Sequence, residues 1–265
     1  MEILNVRHAR TPVRAVLFDF DGTISTLRCG WERVMRPLML EMISGGAWDA
    51  ALEHEVDAYI DESTGIQTIH QMKWLAERAA RSNPAAPDDP WWYKAEYNRR
   101  LMREVGKRVE ALKSGAQSRE SFLVAGSVPF LKALGERNVR LYVASGTDHP
   151  DVVNEAGALG LSHLFTLVAG APVGSENCSK EAVIEKLISD EGLSGDEFCV
   201  AGDGKVEIRL GRAAGARTLG MATDEEALSG VNPVKRERLI KAGADAIAGD
   251  FADLPGLLAF LGLEA

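Results

Sequence analysis

Asp19 and Asp21 stand two residues apart at the end of the apolar run Val16-Leu17-Phe18, and Gly22-Thr23 follows them. Paired carboxylates offer oxygen donors to a hard cation, a nucleophile, and a group that can carry a proton. An isolated Asp-x-Asp-Gly is more often a solvated turn. A calcium loop does not fit, because its twelfth position would be Gly30 and not Glu. What raises the pair above a turn lies downstream. Leu141-Tyr142-Val143-Ala144 runs into Ser145-Gly146-Thr147, Lys180 heads a helical stretch, and Phe198-Cys199-Val200-Ala201 runs into Gly202-Asp203-Gly204-Lys205-Val206-Glu207. Taken singly, Lys180 reads as a solvated side chain and Asp203 as a helix N-cap. Taken together, Asp19, Asp21 and Asp203 make an oxygen site suited to Mg²⁺. Ser145, Lys180 and nearby backbone N–H groups can hold phosphoryl oxygens, which leaves Asp19 to attack phosphorus.

The elements that must position these groups are strands. Val16 to Phe18 is apolar throughout, as expected of a strand covered on both faces of a parallel sheet. Side chains just past the carboxyl end of such strands enter the crevice where open α/β sheets bind ligands. From about Ser118 onward, strands are expected at 139–144, 166–169, 198–201, 217–221 and 245–248, with helices at 152–159 and 181–188. That alternation predicts right-handed crossovers and a parallel sheet.

Between the first strand and this region the texture is helical. All five tryptophans fall within the first 92 residues. Trp31, Val34, Met35, Leu38, Met39, Met42 and Ile43 form one apolar stripe, with a kink expected at Pro37 and a stop at Ser44-Gly45-Gly46. Leu52 to Ile60 makes a second stripe, Ile66 to Leu75 a third behind a possible Thr64/Gln67 capping box, and Tyr97 to Leu112 a fourth. The predicted architecture is a Rossmann-like α/β core of residues 1–24 and 119–265, interrupted by an all-helical insertion of residues 25–118.

Composition narrows the classes of partner. The formal net charge of −9 and an isoelectric point near 5.2 argue against nucleic acid or an anionic membrane surface. Cys29, Cys178 and Cys199 are odd in number and lack C-x-x-C spacing, so neither a disulfide framework nor a zinc site is expected. The amino-terminal stretch does not resemble a signal peptide, and Leu254 to Leu263 is too short and Gly/Pro-broken to span a bilayer. A cytoplasmic monomer or homodimer is expected.

Asp19-x-Asp21-Gly22-Thr23, Ser145 after its strand, Lys180 at its helix start and Gly202-Asp203-x-x-x-Glu207 resemble the four motifs of the haloacid dehalogenase superfamily, in order and spacing across nearly the whole chain. The insertion resembles the cap of the subgroup that includes phosphoglycolate phosphatase and beta-phosphoglucomutase. The resemblance implies Asp19 as nucleophile and Mg²⁺ ligand, the Asp21 backbone carbonyl and Asp203 as further ligands, and Glu207 supporting the metal or its waters. It implies Ser145, Gly146 and Lys180 as the phosphoryl site and Asp21 as general acid. Glu207 departs from the Asp found in many members, which alters its reach to the metal. Asp21 sets the chain apart from the true dehalogenases, which lack that second aspartate, and from the phosphonatases, which carry a small residue there.

The activity this implies is Mg²⁺-dependent hydrolysis of a small phosphorylated metabolite. A phosphomutase would use the same motifs but return the phosphoryl group to substrate. A receiver-type phospho-switch shares an acidic site, a Ser/Thr and a Lys, but lacks the cap and the second aspartate. Substrate choice is expected from the cap: Thr64, Gly65, Gln67, Thr68 and His70 are candidates for a substrate-facing loop, although Thr64 and Gln67 as plain cap residues and His70 in solvent is the commoner outcome. Trp91-Trp92-Tyr93 can line the pocket or fill the helical core, and the latter is more usual.

Overall fold

In the computed structural model, residues 1–5, 11–176 and 180–263 are described, so Cys178 and Ser179 lie outside the described residues. These form one sheet of seven strands: β1 (Glu2–Ile3), β2 (Ala15–Phe18), β3 (Arg140–Asp148), β4 (Leu167–Ala171), β5 (Phe198–Gly202), β6 (Arg217–Met221) and β7 (Ala246–Ala248). Their spatial order is β1-β7-β6-β5-β2-β3-β4. All pairs are parallel except β1 with β7, where Glu2 faces Ile247 antiparallel. The parallel sheet matches the expectation from the sequence. The antiparallel edge strand was not anticipated, since two residues carry no readable alternation.

Strand alternation separates the two faces of the sheet. Val16 and Phe18 pack with Leu141, Val143, Cys199 and Ala201 against Phe130, Leu131, Val152 and Leu257, which come from α5 (Ser127–Glu136), α6 (His149–Ala158) and α10 (Leu254–Phe260). Ala15 and Leu17 face the other way, with Tyr142 and Val200, against Ile184 and Leu187 of α7 (Lys180–Glu191). Toward β6 and β7, Ile247 packs with Ile208 of α8 (Lys205–Ala213) and Leu239 of α9 (Pro233–Ala242). Both faces are covered, which is why β2 is buried at every position.

Between β2 and β3 stand α1 (Glu32–Ser44), α2 (Ala50–Glu62), α3 (Thr68–Ser82) and α4 (Pro90–Lys113). Pro37 sits inside a single continuous α1, which Gly45 ends in the left-handed conformation. Asp49 and Asp89 cap α2 and α4 through their side chains. The expected Thr64/Gln67 capping box is not formed. Gln67 occupies the N-cap of α3 without a side-chain bond, and the Thr64 hydroxyl donates instead to the Ile60 carbonyl at 2.9 Å. The preceding turn, closed by Ser63 and Thr64, claims the hydroxyl first. One apolar cluster runs without a break from Phe18 and Phe20 through Ile24 and Leu27 into Met35, Leu38 and Leu101. Among the described residues, no helix is long and apolar enough to cross a membrane.

Candidate active site

β2 lies between β3 and β5, with Phe18 opposite both Val143 and Ala201. One residue further, the Asp19 N–H still donates to the Ala201 carbonyl at 2.8 Å. Strand order reverses around β2, so the ends of three adjacent strands open into one crevice. β3 runs further than the sequence predicts: its pairing to β4 becomes irregular after Ala144, and Ser145, Gly146 and Thr147 belong to this extended end. The cleft above is lined by Asp19, Asp21, Ser145, Gly146, Thr147 and Lys180 from the core, and by cap residues on its other side.

Lys180, the first residue of α7, donates to Asp19 Oδ1 at 2.9 Å and also bonds Glu207. Its side chain is 10% exposed, so it is not the solvated lysine that its helix position alone predicts. Asp203 does not cap α8; Gly204 holds that position. Asp203 Oδ2 instead accepts from Lys235 Nζ of α9 at 2.7 Å, and Lys235 bonds Glu225 at 2.5 Å. Asp21 Oδ2 accepts from Thr147 Oγ1 at 2.8 Å and from Ser145 Oγ at 3.2 Å. Its other oxygen, Oδ1, is buried without a hydrogen-bond partner and lies 3.9 Å from Arg28 Nε.

Burial pushes the Asp19 carboxyl up to about 6, reinforced by repulsion from Asp203 and Asp21 and opposed by Lys180. Glu225 is pushed up to about 7 by burial and by Asp203, against the pull of Lys235. Around this crevice Asp19 and Glu207 face Lys180, Asp203 and Glu225 face Lys235, and Asp21 lies near Arg28, so five acidic groups meet three cations. Negative charge is in surplus, in a place where water cannot screen it well.

A family model for haloacid dehalogenase-like hydrolases matches residues 13–215. The chain belongs to the haloacid dehalogenase-like hydrolases. It is similar to two proteins named phosphoglycolate phosphatase. One, from Rhodospirillum rubrum, is 24% identical over 93% of this chain and 91% of that protein. The other, from Pectobacterium atrosepticum, is 22% identical over 80% of this chain and 81% of that protein. Among solved structures, a beta-phosphoglucomutase from Clostridium difficile superposes with a TM-score of 0.65 at 14% identity, covering 94% of this chain and 97% of that one. A predicted phosphoglycolate phosphatase from Haemophilus somnus gives 0.63 at 17% identity, covering 95% and 99%. At such identities the solved structures speak for the fold.

Phosphatases of this hydrolase family generally use a divalent metal, and the donor set suits one. The candidates are all oxygen, Glu207 Oε2 is buried without a hydrogen-bond partner, and the charge surplus favours a hard cation. Among the described residues no three metal-binding side chains yet converge, since Lys180 and Lys235 stand between the carboxylates.

The cap side of the cleft is only partly what the sequence predicts for this haloacid dehalogenase-like hydrolase. Gly65, Ile66 and Thr68 do line it. Gln67 is buried away from it, with neither amide atom hydrogen-bonded, and His70 faces solvent. Gln71 lines the cleft one helical turn on. Trp91, Trp92 and Tyr93 do not line it; Tyr93 is core and donates to the Pro87 carbonyl at 2.8 Å. The aromatic walls are Trp31 and Tyr97, four residues past Tyr93 on the same helix. Arg28, Thr147, Glu225 and Lys235 were not singled out from sequence. The one available signal was that Thr147 shares the Ser145 stretch.

Gly22 holds the site open in a way no other residue can. Its φ is +74°, and a Cβ there would fall 2.4 Å from Asp203 Oδ2. Gly22→Ala is therefore expected to push Asp203 aside and to raise the metal concentration for half-maximal activity by about tenfold or more, ~1.4 kcal/mol. Titration of turnover against Mg²⁺ reads this out, and an unchanged half-saturation point would refute it.

Proposed function

We propose that the protein is a Mg²⁺-dependent phosphatase that hydrolyses small-molecule phosphate monoesters through an aspartyl phosphate on Asp19. The observation that carries this is the pairing of Asp19 with Lys180 opposite Asp21, which Ser145 and Thr147 hold, at the mouth of adjacent parallel strands. In this reading Lys180 and Ser145, which line the cleft together with Gly146, take the phosphoryl oxygens. Asp19 attacks phosphorus as the bond to the leaving oxygen breaks, and Asp21 gives that oxygen a proton. Asp21, now a carboxylate, takes a proton from a water that attacks the same phosphorus, releasing phosphate and restoring Asp19. Asp19, Asp203 and the Asp21 carbonyl would hold Mg²⁺, with Glu207 beside it. The metal would reduce the repulsion between an anionic nucleophile and an anionic substrate.

Residues 25–118 are proposed to act as the cap that excludes water and contacts the leaving group. Its present contacts with the core include Lys94 to Asp148 and Asp61 to both Lys205 and Arg238. A panel of phosphorylated metabolites assayed with Mg²⁺ tests the activity. Phosphate release is expected, lost on treatment with EDTA and restored by Mg²⁺; full turnover in metal-stripped protein would count against the metal. The likeness to a beta-phosphoglucomutase fold favours one second reading. Isomerisation that depends on a sugar bisphosphate primer, without net phosphate release, would identify a mutase.

A further inference from the structure

Beyond the phosphoryl site the cleft is walled by Arg28, Trp31, Ile66, Gln71, Tyr97 and Leu101. Apart from Lys180, which faces Asp19, Arg28 is the one cation among the described lining residues. Its charge is already matched. Nε and Nη2 donate to Glu155 at 3.1 and 2.6 Å, and Nη2 lies 3.4 Å from Asp151. Glu155 is fully buried on α6, and Arg28 is 8% exposed. With Asp21 Oδ1 at 3.9 Å, three carboxylates surround one guanidinium. These bonds use one edge of the fork and leave Nη1 on the other.

We propose that this site selects monoesters whose leaving group is uncharged and hydroxylated, and that Arg28, neutralised by Glu155, sets that preference. The inference rests on the phosphatase reading above. A carboxylate on the leaving group would lose its water in a cleft whose cation is already paired, close to Asp21 and Glu155. Burying a charge without a partner is costly. A hydroxyl can accept from Arg28 Nη1 and donate to Gln71, whose Nε2 is taken by Ser63 Oγ at 3.1 Å while Oε1 remains an acceptor. Trp31 and Tyr97 supply apolar faces for the carbon skeleton. The relatives' name refers to a carboxylated ester, so the inference separates this chain from them in substrate class. Glu155 is a positioning residue here, acting through Arg28.

The test uses the full chain with Mg²⁺ and two esters of matched size, glycerol 3-phosphate and 3-phosphoglycerate. Each is measured as a substrate and as a competitive inhibitor of p-nitrophenyl phosphate hydrolysis. Wild-type protein is expected to favour glycerol 3-phosphate at least about tenfold. Glu155→Gln should move the ratio toward 3-phosphoglycerate by about tenfold, because Arg28 then keeps an unmatched charge. Asp151→Asn should move it the same way by about threefold, and its partly exposed side chain makes this variant safe for folding if Glu155→Gln is not. Equal or better use of 3-phosphoglycerate by wild type, or ratios unmoved in the variants, overturns the inference and leaves the phosphatase standing. No phosphate release from any of the three esters overturns the phosphatase reading itself, and this inference with it.

Discussion

Asp19→Asn is expected to abolish turnover and, in metal-free protein above pH 6, to raise the unfolding temperature. The first effect follows from the loss of the attacking oxygen; removal of a covalent nucleophile costs on the order of 10⁴–10⁶ in kcat. The second follows from burial. In the folded protein the Asp19 carboxyl is pushed from the ordinary 3.8 up to about 6, by burial first and by Asp203 and Asp21 next. A raised carboxyl pKa means that the folded state binds its proton more tightly than the unfolded chain does. Folding is therefore favoured by this group below about pH 4, and that advantage is lost as pH rises through about 6. Above that range the ionised group weighs against the fold by up to roughly 3 kcal/mol. Asn removes the charge and keeps the shape, while Lys180 retains Glu207 as a partner. For a chain of this size ~3 kcal/mol corresponds to about 5–10 °C. Melting curves in EDTA at pH 8 and pH 4 read it out: a gain at pH 8 that vanishes near pH 4 is expected. A lower melting temperature at pH 8 would show that the buried carboxylate is not a burden, and retained turnover would place the nucleophile elsewhere.

Asp21→Asn is expected to separate substrates by their leaving group. Thr147 and Ser145 occupy Oδ2, and Oδ1 is the oxygen without a partner, so Oδ1 is the atom from which the proposed general acid would give its proton. Asn keeps an acceptor toward the two hydroxyls but cannot donate as an acid. Loss of general acid catalysis costs about 10²–10⁴ when the leaving group is an alkoxide. A p-nitrophenolate leaves without help, so phosphoenzyme formation from p-nitrophenyl phosphate should fall by about tenfold or less. The later attack of water should slow for both esters, since the same group then acts as base. Single-turnover measurements with an alkyl and an aryl ester check this. An equal loss for both in the first step would remove Asp21 from the role of acid.

The residues these predictions rest on were legible because their placement is local. An apolar β-branched run followed by a carboxylate or a small polar step marks a buried strand and its exit, and Asp19, Ser145 and Asp203 each follow such a run. Parallel pairing then carries the three ends to one sheet edge, so finding the strands was nearly enough to find this part of the site. The helical insertion was legible for a similar reason, through apolar spacing and the stop at Gly45.

The rest was decided by tertiary structure. Lys235 meets Asp203 across 32 residues, and Arg28 meets Glu155 across 127. A charged residue has no periodicity of its own, so nothing local announces which acid it will face. The cap wall shows the same limit in another form. Tyr93 and Tyr97 stand four residues apart on one face of α4 and both are buried in the core, yet only Tyr97 also borders the cleft. That outcome depends on where along α4 the cleft falls, which the packing of distant elements sets and spacing alone does not. What the sequence by itself determined was which carboxylates and hydroxyls stand at the strand ends; the charged partners that hold them, and the walls of the cleft, exist only once distant elements pack together.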